Sequence, residues 1–108
     1  MKVVLDLSGV RNFDDFYKRI SDLFGFPDFF GKNVHALIDC LFNLRYPDSR
    51  MTGFNISDSE YLIVEVFGFS GLPQEIMETL AYAIEFANFK LICKNQLPAM
   101  ALLLNRRA

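Results

Sequence analysis

His35, Asp39 and Cys40 are the side chains in this 108-residue chain whose types and spacing invite chemistry. A thiol, an imidazole and a carboxylate are the parts of a nucleophilic hydrolase, in which the base must lie within hydrogen-bond reach of the nucleophile. Helical geometry separates them here. His35 and Asp39 are four residues apart and pair on one face, whereas Cys40 falls about 140° from His35 around a helix, on the other side. His35 with a distant acid such as Glu65 is the remaining acid–base pairing, and nothing in the sequence brings the two together. No Gly-x-Ser-x-Gly elbow, phosphate loop or Gly-rich dinucleotide turn occurs. One His and no close pair of cysteines leave no metal-ligand set. The expectation is a protein without catalytic residues, cofactor or metal.

The helix that carries these residues follows the loop Phe26-Pro27-Asp28-Phe29-Phe30-Gly31. Pro27 lacks an N–H and restricts Phe26, so the preceding helix must have ended. Asn33 is a good N-cap for the new helix, expected to run to Leu44. With Val34 at 0°, Cys40, Leu44, Leu37 and Leu41 fall between about 240° and 340°, an ordinary core stripe. Ile38, Phe42, His35 and Asp39 fall between about 40° and 140°. This second arc sets two large apolar groups beside two ionisable ones, which a solvated face does not need and a protein interface uses. A helix buried on both sides, with His35 and Asp39 at the rim, satisfies the same pattern.

The run FPDFFGKNVHALIDCL over residues 26–41 resembles the signature of the barstar family. That signature is a Pro, an acid, two aromatics, a Gly, a polar residue and an Asn, then a helix bearing Ala-Leu-x-Asp-Cys-Leu. Pro27, Asp28, Phe29, Phe30, Gly31, Asn33, Ala36, Leu37, Asp39, Cys40 and Leu41 match it without a gap, and the likeness thins after Pro47. The resemblance implies a barstar-like fold and a cytoplasmic immunity protein, monomeric when free. Such a protein plugs the active site of a cognate toxin, a ribonuclease, in a one-to-one heterodimer. The partner-binding residues implied in the 27–44 loop and helix are Phe29, Phe30, Gly31, Asn33, His35, Ile38, Asp39, Phe42 and Asn43. Asp39 stands in for a substrate phosphate opposite Lys or Arg. Two departures bear on which toxin is met: the family's best-known inhibitor has a second acid where this chain has His35, and Trp where it has Ile38. The alternative is an interaction module with a non-toxin partner, or a homodimer through the same arc.

The remaining elements must position that loop and helix. KVVLDL at residues 2–7 reads as a strand, and Ser8-Gly9 as a turn. Asn12 caps a helix with Asp14 and Asp15 in its first turn and Phe13, Phe16, Tyr17, Ile20, Leu23 and Phe24 at helical spacing; Gly25 ends it. The polar stretch 45–58 reads as a loop, a place for a member-specific contact or for disorder. YLIVEVF at residues 61–67 reads as a central strand covered on both faces, with Glu65 near its carboxyl end by a crevice. Residues 73–87 form an amphipathic helix on which Glu75, Glu78, Tyr82 and Glu85 share an exposed face, a secondary acidic contact for a basic partner. Residues 88–96 either extend that helix past Asn88 or begin another. Residues 99–104 are the last strand, before a basic tail, Asn105 to Ala108. The fold class is α/β: a three-stranded parallel sheet covered by helices, in the order β-α-α-β-α(-α)-β, one domain over residues 1–108.

Composition narrows the classes. A net charge of −2 disfavours a general nucleic-acid binder. The N-terminus enters a strand directly, with no secretion signal expected. No apolar run approaches the roughly 20 residues that span a bilayer. Cys40 and Cys93 are therefore read as reduced core thiols.

Overall fold

The structure, a computed structural model, describes residues 1–106. The β-branched run at the N-terminus forms β1 (Lys2–Asp6), and the second apolar run forms β2 (Leu62–Phe67). β3 (Met100–Leu104) completes a parallel sheet of order β1-β2-β3. Val4 pairs with Glu65 and Glu65 with Leu103 across the three strands. α1 (Phe13–Phe24) and α2 (Val34–Phe42) connect the first two strands, and α3 (Gln74–Cys93) the last two. The expected α/β class, order of elements along the chain and parallel pairing are all present. Arg107 and Ala108 of the expected basic tail lie outside the described residues.

Local chemistry places the helix ends. Asn12 accepts from the Asp15 N–H at 2.8 Å, and Gly25 takes the left-handed conformation (φ 69°) that closes α1. Phe16, Tyr17, Ile20 and Phe24 turn inward, while Lys18 and Asp22 pair at 3.0 Å on the outer side. Gly25 also lets the next loop approach: a Cβ there would meet the Gly53 backbone at 2.9 Å.

The sheet is covered on one face only, which corrects the reading of β2. Leu5, Leu62, Val64, Val66 and Met100 are buried beneath the helices. Val4, Ile63 and Leu103, on the opposite face, are 46%, 41% and 48% exposed. The reason is topological. With strands in the order β1-β2-β3, both crossovers step the same way across the sheet, and right-handed crossovers then put every helix on one side. Glu65 accordingly sits in the middle of β2 on the open face. It is paired with Lys2 at 3.1 Å and accepts from Asn105, just past the end of β3, at 3.2 Å.

One open alternative is settled, and two further expectations change. Asn88 does not break α3. Its side chain reaches the start of β3, accepting from the Ala99 and Met100 N–H groups (2.9 and 3.1 Å) and donating to the Met100 carbonyl (2.9 Å). The helix therefore runs on to Cys93, which lies exposed on its outer side, not in the core. Finally, the 45–58 stretch is tied down. After α2 the chain tightens into 3₁₀ turns at Asn43–Arg45 and Pro47–Ser49. Arg45 is 5% exposed. Its guanidinium donates to the carbonyls of Ser57 (3.1 Å), Glu60 (2.7 Å), Pro98 (3.2 Å) and Leu97.

Candidate partner-binding site

The loop between α1 and α2 is anchored by aromatic rings and helix-cap bonds. Phe30 packs on Phe26 (4.9 Å between ring centroids) and on Tyr17 (5.9 Å). Phe26 stacks on Phe24 and Phe24 on Phe54, which ties the loop to the 45–58 segment. The Phe30 N–H donates to the Pro27 carbonyl at 2.9 Å, closing the turn. Asn33 works in both directions: its carbonyl oxygen accepts from the Ala36 N–H at 2.8 Å, and its amide donates to the Gly31 carbonyl at 3.2 Å. Lys32 between them takes a left-handed φ of 51°. Phe30, Gly31 and Asn33 thus hold the loop in shape.

Phe29 is what this scaffold displays. It is 77% exposed, the most exposed large apolar residue among those described. His35 and Asp39 are exposed one helical turn apart on α2. A shallow cleft of about 170 Å³ lies between Phe29, Phe30, Gly31, Ala36, Asp39, Cys40 and Met51. Its wall carries a carboxylate and its sides are apolar. That arrangement suits a protein side chain better than a reaction, because the one nucleophile is silenced. Cys40 is 1% exposed, and burial, with the negative charge of Asp39 second, pushes its thiol up to about 11.

The second arc of α2 is not the free surface its angles suggest. Ile38 is 5% exposed and belongs to the core. α3 packs along this side of α2. Lys90 of α3 comes within 3.8 Å of the Asp39 carboxylate and 4.8 Å of the Phe42 ring centre. Ile38 lies around the helix between Leu41 and Phe42, so it is enclosed by the same packing. Burying an isoleucine is worth roughly 1.5–3 kcal/mol to the fold, and the side chain is spent there. Ile38 is therefore removed from the expected partner-binding set. Phe42 is half-buried and stacks on Tyr46 at 5.2 Å. Asn43 is half-buried too, its amide donating to the Asp39 carbonyl at 2.8 Å.

Glu75, Glu78, Tyr82 and Glu85 are exposed on α3 as expected, but the α3 side chain that meets Asp39 is Lys90. Lys90 and Met51 are the site residues that sequence reasoning missed. Lys90 lies beyond Asn88, where the phase of the helix was open, and Met51 sits in a loop without a period. Neither had a local signal.

The chain matches the model of the family described as Barstar (barnase inhibitor) over residues 1–61. It belongs to the barstar family. Members of this family bind ribonucleases as inhibitors. The matched span holds β1, α1, the Phe29 loop, α2 and both 3₁₀ turns. Lys90 and the rest of α3 lie beyond it, so the barstar resemblance does not speak to the cation set against Asp39. No curated protein matches the chain. Among the described residues no group of three or more His, Cys, Asp or Glu could hold a metal ion, and no helix is long and apolar enough to cross a membrane.

Proposed function

We propose that this protein is a cytoplasmic immunity protein that neutralises a cognate bacterial toxin by occluding its active site. The toxin is a ribonuclease, bound one to one by an inhibitor that is monomeric when free and acts as a single domain over residues 1–108. The family match across the loop and α2 is the observation that carries this reading. The surface is smaller than the helix wheel suggests: Phe29 at the centre, with His35, Asp39 and the edge of Phe42 beside it. Phe30, Gly31 and Asn33 hold it in shape. A rigid loop with one unsupported aromatic beside a carboxylate is economical for binding, because little conformational entropy is lost when the partner arrives. Asp39 offers its carboxylate where a substrate phosphate would meet the toxin's cations. Lys90 beside it makes the face mixed in charge, so the matching toxin presents an acidic or neutral group next to the cation that meets Asp39.

The test is co-expression with a candidate ribonuclease toxin domain, sought first in the reading frames next to this gene. A one-to-one complex on size exclusion, with nuclease activity lost, is the expected result. Two separate peaks with full activity would refute the assignment.

A further inference from the structure

We propose that the outer face of α3 is a second docking site, built to take an arginine or lysine side chain from a basic segment of a partner protein. Tyr82, Phe86 and Phe89 are 50%, 39% and 55% exposed, although they lie within eight residues of one helix. Their rings form a ladder, 5.6 Å from Tyr82 to Phe86 and 6.0 Å from Phe86 to Phe89. The rings are splayed by 42° and 59° and open a concavity of about 280 Å³ with Glu85 in its wall. Three aromatic faces and a carboxylate around one hollow are the chemistry that holds an organic cation on an apolar stem: the rings attract the cation and cover the stem, and the carboxylate pairs with the charge.

The charge around the hollow selects the occupant. Counting from Phe86 at 100° per residue, Tyr82, Phe89, Glu75, Glu78 and Glu85 all fall within about 100° on one side. From Gln74 to Phe89 the helix has no Lys or Arg. The first, Lys90, is turned toward Asp39 and Phe42 of α2. Residues 74–89 thus give the face an acidic and aromatic character, with no cation among them. A purely apolar partner would strip water from Glu85 without replacing it. A second copy packed antiparallel about Phe86 would set two Glu85 carboxylates on the same side of the pair. A basic segment satisfies both the rings and the acids. This site is separate from the Phe29 surface and stands whether or not that surface inhibits a nuclease.

The experiment is a titration of the full chain, followed by NMR of its aromatic side chains. The probe is a short peptide of alternating leucine and arginine; the control has each arginine replaced by neutral citrulline. The arginine peptide is expected to shift Tyr82, Phe86 and Phe89 saturably while leaving Phe29 unmoved. The citrulline peptide and the Glu85→Gln variant are each expected to weaken binding on the order of fivefold or more. Glu85 is exposed, so the variant folds as the parent does. Equal binding of the two peptides, absence of saturable shifts at millimolar peptide, or movement of these resonances with protein concentration alone would overturn the proposal.

Discussion

Arg45 offers the sharpest test of how the chain holds its functional loop and helix in place. It closes the 3₁₀ turn that follows α2, is 5% exposed, and donates to four backbone carbonyls on two separate segments, residues 57–60 and 97–98. No carboxylate pairs with it among these contacts, so the carbonyl dipoles carry the whole charge. Hydrogen bonds from a charged donor are worth about 1.5–3 kcal/mol each, which makes ~12 kcal/mol an upper bound for the set. Two facts lower it. The Pro98 bond is long at 3.2 Å and shares its nitrogen with Glu60, and Ser57, Glu60 and Leu97 are exposed enough for their carbonyls to regain water. Arg45→Met keeps the stem and removes the donors, and the expected loss is about 3–5 kcal/mol, as for breaking a buried charged contact. Against a total stability of about 5–15 kcal/mol this is large, and the melting temperature should fall by about 12 °C or more. Urea unfolding followed by circular dichroism measures it. Arg45→Lys should recover only part of the loss, since a point ammonium cannot span four acceptors. A loss under about 1 kcal/mol for Arg45→Met would refute the reasoning, because that is the cost of an ordinary surface change.

Three other outcomes follow from the site. Cys93 should react with a thiol reagent at neutral pH while Cys40 reacts only on unfolding. Because burial raises the folded value for Cys40 from near 9 to about 11, the folded chain keeps a proton that the unfolded chain loses. That contribution is intact below pH 9 and fades toward pH 11, a loss of about 2–3 kcal/mol that Cys40→Ala should abolish in an alkaline stability profile. The wild-type chain should leave barnase active even in molar excess, because His35 replaces an acid and Lys90 stands beside Asp39, and His35→Asp with Lys90→Met should gain inhibition. Tight inhibition of barnase by the wild type would show that these positions do not set partner choice.

What was legible in the sequence is what is decided within a few residues. Asn12, Gly25 and Asn33 act at the helix ends their types predict, because a cap bond needs only its own turn. The parallel sheet was legible from the alternation of strands with helical stretches. The misreadings are all matters of neighbours. The angles around α2 were right, yet they cannot say that α3 lies against Ile38. The apolar run of β2 suggests cover on two faces, while strand order decides that one stays open. Whether α3 runs past Asn88 is open in the sequence, because the three hydrogen bonds from its side chain to the start of β3 that favour continuation have no local signal. Arg45 in a polar stretch gives no hint of burial, since its acceptors are carbonyls up to 53 residues away.

The most direct test of the inhibitor account is a titration of the cognate ribonuclease toxin, once identified by co-expression, with this protein and with the Phe29→Ala/Asp39→Ala double variant. Both residues are exposed, and the Asp39–Lys90 contact is a surface pair, so the variant should melt within a few degrees of the parent. The parent is predicted to abolish nuclease activity at one equivalent, and the variant to require at least about a hundredfold more. Identical titration curves for the two proteins would contradict the claim that this loop and helix are the inhibitory surface.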